Sequence, residues 1–351
     1  MDVKNNPALV TLFFKEIMEP AFNNAYNGTL KSVLAEKIAM QVPSTGISSI
    51  HGWVNQIGRM SEWVGPRIAK NISTNGLEVF NRTFENNLEI TVAEFLSDAH
   101  SMYGLIQGPA LGVDAAFNRD RLLLEAMLRG LPTSTNPIVW ADGVTTFANG
   151  STVGDGSTRS FDGVNIIKNY TTDPLTPTSL RKACNTMNNY IGHGGQNLLG
   201  SAPGMVKFTL LHGSILDEVA TKILDSEYMP VLAPDGTTWT ASGGNPNYHL
   251  MGHEISNLFN SGFIDAKGTK YDASLCWCII AEFMGVKPLC YQSWQDPFFQ
   301  YARATMDSEY CYAHDALQWG VTARGEGFVC IPWLMFFGNA STAWYTGVGQ
   351  Y

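Results

Sequence analysis

"IHGWVNQIGRMSEWVGPRIAKN", residues 50–71, sets the problem of the fold. Trp53 follows Gly52, Trp63 precedes Gly65 by two positions, and Arg59, Glu62 and Arg67 interrupt the apolar residues. A helix would show apolar positions every three or four residues and a strand would alternate. This segment does neither, so its two indoles need cover from outside it.

The flanks read more plainly. In "LEITVAEF" Leu88, Ile90 and Val92 alternate with Glu89 and Thr91, the period of a half-buried strand. "LEVFNRTF" precedes it and "ENN" offers a reversal, so residues 77–93 are predicted to form a β-hairpin. Two strands alone are marginal in water, and the hairpin should lie on another surface. Upstream, Leu9, Leu12, Phe13, Ile17 and Met18 have helical spacing, and Pro20 breaks or kinks that helix. Residues 8–40 therefore read as an amphipathic arm in need of a partner.

Downstream, residues 109–130 predict the longest helix, with Pro109 at its first position and Gly130 as its C-cap. "SDAHSMYGLIQ" is a candidate extension of it past a kink. Residues 131–176, rich in Gly, Ser, Thr, Asn and Asp, read as a long surface loop with a short hairpin. A helix follows, capped by Thr176 or Thr178. "MVKFTLLHG" is a buried strand, and "SILDEVATKIL" is a helix with Ser214 as its cap. "SLCWCIIAEFMGVKPLCYQ" is one further strand, and residues 308–338 read as two long strands meeting near "ARGEG". The class is α+β.

Composition narrows function. Of 351 residues 45% are apolar and 15% charged, with 34 Gly and 11% aromatics, against an ordinary charged share of about 25%. Large protein–protein contacts use such uncharged surface; a neutral β-rich protein with long loops fits equally. A net charge of −9 and a pI near 5.2 exclude recognition of nucleic acid by phosphate neutralisation, though not its enclosure. The six cysteines read as buried thiols. The opening "MDVKNNPALV" lacks a secretory pattern and no apolar run approaches a membrane span of roughly 18 residues, so an intracellular product is expected.

No catalytic set and no cofactor are expected. "HLMGHE" places His249 and His253 four apart with Glu254, a spacing that binds zinc on one helical face. Yet the Glu follows the second His, Gly252 weakens the helix, and no third ligand is evident. "IGHGGQNLLG" lacks the Lys-Ser/Thr of a phosphate loop.

An ordered series of motifs resembles the major head subunits of Mu-like phages and prophages, the T protein family. It comprises "EKIAMQVPST" (36–45), "GWVNQIGRMSEWVGPR" (52–67), "NRTFENNLEITVAEF" (81–95) and "AAFNRDRLLLEAMLRG" (115–130), with a weaker "WADGVTTF" (140–147). "ILDSEYMP", "VKPLCYQSWQDP" and "HDALQWGVTARGEGFVCIPWLMFFG" keep the family's order in the second half, whereas residues 131–205 depart from it.

The resemblance implies a Hong Kong 97-type capsid fold. It would divide into an N-terminal arm (1–48), an E-loop hairpin (49–95), a peripheral domain with a long spine helix (96–165), an axial domain (166–285) and return strands (286–351). It implies a major head protein that self-assembles into hexamers and pentamers of an icosahedral shell. That shell would enclose double-stranded DNA without reading its sequence, with scaffold, portal and decoration proteins as partners and no membrane. Such a protein is assembled in the bacterial cytoplasm and resides in the virion. Expected contact residues between subunits are Phe13, Phe14, Trp53, Trp63, Arg67, Phe80 and Phe84. Packing of the tryptophans on their own subunit's spine helix is the other reading. Deletion of residues 1–30 is expected to stop assembly yet leave a folded subunit. The rival functions are a soluble metal-dependent enzyme using His249, His253 and Glu254, and a phage tail or decoration subunit.

Overall fold

The computed structural model describes residues 7–54, 74–97, 102–132, 134, 137–150, 158–161, 163–192, 195, 197–200, 205–232, 239–260, 263–264, 269–339 and 344–348. The chain forms two units. The first takes residues 1–49, 79–122 and 291–327, the second residues 50–78, 123–290 and 328–351.

The first unit begins with α1 (Pro7–Phe13), a π-helical turn (Phe14–Met18) and α2 (Glu19–Leu30). Pro20 lacks an N–H and crowds the carbonyl four residues back. The helix widens just before it, and Glu19 N–H donates to Phe14 O, five residues back. α3 (Leu34–Ile38) and β1 (Ala39–Pro43) follow; β2 (Ser48–Val54) and β3 (Thr74–Phe80), which pair with each other, fall mostly in the second unit. β4 (Arg82–Thr91) and α4 (Val92–Ser97) lead to α5 (Met102–Arg129). Pro109 thus lies inside α5, not at its start. The upstream turn stays helical where α5 meets α2 at two glycines. A Cβ on Gly112 would sit 2.5 Å from Phe22 O, and one on Gly108 3.2 Å from Met18 O.

The hairpin expected over residues 77–93 does not form. Asn86 and Asn87 lie within β4, in antiparallel register with Val321 and Gly320 of β15 (Ala316–Val329). A Cβ at Gly320 would fall 2.1 Å from Asn87 Oδ1. Strand pairing along the whole of β4 therefore outweighs the local turn preference of Glu-Asn-Asn. "ARGEG" likewise makes no connection but runs through the middle of β15. Gly325 there allows close approach, since a Cβ would stand 2.6 Å from Gln292 O. With β14 (Leu289–Arg303) the sheet order is β1-β14-β15-β4. A short helix α8 (Glu309–His314) stands where strand was expected; Ser308 Oγ accepts from Cys311 N–H, and Asp315 ends it at φ 48°.

Helices and sheet close on an aromatic core. Phe14 is fully buried, with ring centroids 6.0 Å from Phe95, 6.3 Å from Tyr301 and 5.2 Å from Trp319. Each such ring contributes roughly 1.5–3 kcal/mol by burial. Val10, Phe13, Phe14, Met18, Phe22 and Tyr26 are therefore part of this unit's own core. Asp120 of α5 adds a polar tie, accepting from Ala35 N–H at 2.7 Å and Leu34 N–H at 3.0 Å. It supplies the cap that Val33, before α3, cannot.

The second unit holds the end of α5, β5 (Arg159–Ser160), β6 (Ile166–Ile167), α6 (Pro177–Asn188) and β7 (Val206–His212). Thr176 caps α6 in a reciprocal box with Ser179. Ser214 does not cap a helix directly; it opens a 3-10 turn before α7 (Asp217–Leu224). β8 (Tyr228–Leu232) pairs with β9 (Trp239–Gly244), and β10 (Gly252–Ile255) follows. β11 (Phe263–Ile264) and β12 (Thr269–Asp272) join β17 (Trp344–Val348) in a small sheet. The single strand expected over 274–292 is two, β13 (Trp277–Phe283) and β14, separated at Met284 and Gly285, with φ of 53° and 82°. The main sheet is ordered β10-β7-β13-β16, with β16 at Met335–Gly338. Trp277 lies opposite Gly338, where a Cβ would be 1.9 Å from the indole.

Part of the expected surface loop over 131–176 instead lines this unit's interior. Thr146, Phe147, Ala148, Arg159, Ile167 and Asn169 are buried. Arg159 meets Asp142 at 2.5 Å and donates to Thr146 O at 2.9 Å. Asn169 accepts from Ala148 N–H at 2.6 Å and donates to Pro332 O at 2.9 Å. Polar composition suggested solvent, but polar groups are buried readily once hydrogen-bonded. Gly130 ends α5 by its size, without a left-handed φ; a Cβ there would meet Thr146 Cβ at 2.7 Å. The six cysteines are free thiols, five of them buried.

Candidate interaction surface

Asn81, between β3 and β4, fixes the root of the β2–β3 ribbon. Its N–H donates to Ile47 O at 2.8 Å, and its Nδ2 donates to Ser44 Oγ at 2.9 Å and Gly46 O at 2.6 Å. Its Oδ1 accepts from Gln292 Nε2 at 2.8 Å. With every polar arm of Asn81 used inward, its neighbour Phe80 stands 59% exposed and Ile47 69% exposed. Two apolar side chains held out by a satisfied polar root are suited to contact with another surface.

The other expected contact residues fall differently. Phe13 and Phe14 are buried in the first unit's core, Phe14 completely; rings with so little exposed area have little to give a neighbour. Phe84 is half-buried under the Arg82 guanidinium, 5.3 Å from its ring centre, and Arg82 in turn meets Glu326 at 2.5 Å. Trp53 lies on β2, while Trp63 and Arg67 fall outside the described residues.

A second apolar surface went unread in the sequence. Ile106, Val113 and Phe117 of α5 are all exposed. Their spacings of seven and four residues put them on one helical face. Leu111, Ala115 and Ala116 point the other way and are buried. The signal was present, but a helix with apolar residues on two faces cannot announce from sequence which face its own chain covers.

His249, His253 and Glu254 do not form the helical zinc set. His249 sits in a turn at φ 52° with its ring 3.9 Å from that of Tyr248. His253 and Glu254 are adjacent on β10, so their side chains leave opposite faces. The structure instead brings His253 to His212, 3.1 Å away between ring nitrogens.

Residues 13–172, just under half of the chain, match the family model described as Mu-like prophage major head subunit gpT. The major capsid protein of Escherichia phage Mu is 32% identical over 94 residues, 27% of this chain and 30% of that protein. The Mu-like prophage FluMu major head subunit of Haemophilus influenzae is 30% identical over 99 residues, 28% of this chain and 32% of that protein. The matched stretch thus spans about a third of the curated relatives' length. A solved capsid of a native GTA particle superposes with a TM-score of 0.50 at 11% identity, over 88% of this chain and 89% of the other. Over residues 13–172 the Mu-like head-subunit pattern is therefore present, and it extends into the stretch 131–172 that the motif series set apart; the fold is of the Hong Kong 97 capsid type.

Proposed function

We propose that this chain is the major capsid protein of a tailed, double-stranded DNA phage or prophage, and that it closes a shell by binding copies of itself as hexamers and pentamers. The observation that carries this reading is the apolar face of Ile106, Val113 and Phe117 on α5, exposed in the single chain and lying inside the segment that matches the head-subunit family. Its occupant is a second copy of this chain. Head-to-tail contacts use two different patches and close into rings. The second patch is Ile47 and Phe80, both exposed; Trp53, Trp63 and Arg67 are proposed as contact residues from the sequence alone. A capsid contact of this kind exceeds the standard interface of about 1,600 Å², which accounts for so little charge in the chain.

The division into arm (1–48), ribbon (49–95), peripheral domain (96–165), axial domain (166–285) and return strands (286–351) belongs to the same proposal. So do scaffold, portal and decoration partners, assembly in the host cytoplasm and residence in the virion. The role is structural rather than enzymatic. DNA is confined by the closed shell, so a net charge of −9 is no obstacle. Among the described residues no helix is long and apolar enough to cross a membrane.

Size-exclusion chromatography with negative-stain microscopy of the purified chain tests the reading. Shells, or rings of five or six subunits, are expected. A monodisperse small monomer at high concentration would sink it.

A further inference from the structure

His212 ends β7 and is fully buried, and His253 lies beside it on the parallel strand β10. Their rings are nearly parallel, at 17° with centroids 5.3 Å apart. His212 Nδ1 is 2.9 Å from Gly213 O, which can only accept, so Nδ1 carries the hydrogen and Nε2 offers its lone pair. That lone pair faces His253 Nδ1 at 3.1 Å. On the far side of His253, Nε2 lies 3.3 Å from Asp225 Oδ2, another pure acceptor. In the neutral ring Nε2 is then the protonated nitrogen and Nδ1 also presents a lone pair. Asp217 Oδ1, at the first position of α7, is 3.9 Å from His253 Nδ1, buried, and receives no hydrogen bond. Three acceptors converge with no donor among them. Charge at a helix N-terminus accounts for an Asp at 217, but not for an oxygen turned away from every N–H and toward two imidazoles.

Acceptors that meet without a donor call for a cation between them. We propose that His212 Nε2, His253 Nδ1 and Asp217 Oδ1 form a binding site for a divalent transition metal of the zinc class, within the second unit. Two imidazoles and a carboxylate are a zinc donor set. Bonds of about 2.0–2.1 Å in tetrahedral geometry put donors roughly 3.3 Å apart. Here they lie at 3.1 and 3.9 Å, with all three within 4.8 Å. Asp217 is 41% exposed as a side chain, so it can turn to close the remaining gap. Gly213 O and Asp225 hold the two rings in the ligating tautomer, the outer-shell arrangement that metal-binding histidines require. The metal would tie the end of β7, β10 and the start of α7 together. His249 and Glu254 take no part.

The test uses the full-length protein, stripped with a chelator, then titrated with zinc chloride by calorimetry and with cobalt chloride by visible absorption. The expected result is saturable uptake of about one metal per chain, with the strong cobalt bands of a four-coordinate site. H253Q and D217N, both near-isosteric, should each weaken zinc at least tenfold, and D225N by about 10–100-fold. E254Q should bind as the parent does. Circular dichroism checks that each variant is folded. Two results would overturn the proposal: no saturable uptake by the folded parent, which would leave a proton between the imidazoles, or uptake that H253Q and D217N leave unchanged. Neither readout depends on assembly, so this site and the capsid reading stand or fall separately.

Discussion

Arg119 Nη2 donates to Tyr26 Oη at 2.8 Å, a buried bond between α5 and α2. The same guanidinium lies 4.9 Å from the Tyr291 ring centre and reaches Glu36 at 3.2 Å and Asp296 at 3.3 Å. Its two carboxylate partners are 40% and 70% exposed, so water screens them and they add little. The buried phenol and the ring contacts carry the tie.

Replacing Arg119 by Met should therefore lower stability by roughly 1–3 kcal/mol, because Tyr26 Oη loses its partner in a dry setting. Glu36→Gln should stay within about 0.5 kcal/mol. Urea denaturation of the two variants checks the ranking, which is wrong if E36Q costs as much as R119M.

Asp120 gives a pH dependence. Burial raises its pKa, against the lowering by the Ala35 and Leu34 N–H groups. A carboxyl with a raised folded pKa binds more protons folded than unfolded between the two values, so its contribution falls as pH rises through that window. The stability of the parent relative to D120N should shift in the parent's favour on going from neutral pH to below the ordinary carboxylate range. Denaturant midpoints at the two ends of that range measure it. A shift toward D120N in acid would refute the assignment.

Phe14→Ala should cost about 3–5 kcal/mol, the usual penalty for emptying a fully buried aromatic position. Phe80→Ala should change stability by no more than about 0.5 kcal/mol, since its ring is exposed. Loss of residues 1–30 removes Phe14, Phe22 and Tyr26 from the first unit's core. That deletion should leave the first unit unfolded, contrary to the expectation from sequence of a folded subunit. Hydrogen exchange on the truncated chain decides between them.

Ile106→Glu should fold with little change in melting temperature but fail to form rings or shells. A charge at an exposed helical position is tolerated alone, whereas burying it unpaired against another copy costs several kcal/mol. Normal shells from this variant would remove α5 from the contact.

Much of the fold was legible because some signals are local. The Thr176 cap, the interruption before Pro20 and the alternation in β4 depend on neighbours within a few residues. The motif series from residue 36 to 130 carried the likeness to the head-subunit family model, because it preserves order and spacing over a long stretch.

What sequence alone determined was the α+β class, the long α5 helix and the likeness of residues 13–172 to the head-subunit family model. Tertiary structure alone decided that Glu85-Asn86-Asn87 stays in strand opposite Gly320, that Arg159 and Asn169 belong to a core, and that His253 meets His212 across 41 positions of chain. The physical reason is the same in each case. A turn preference, a polar side chain or a histidine has only a weak local meaning, and the partner that settles it is brought close by strand pairing and packing between residues far apart in sequence.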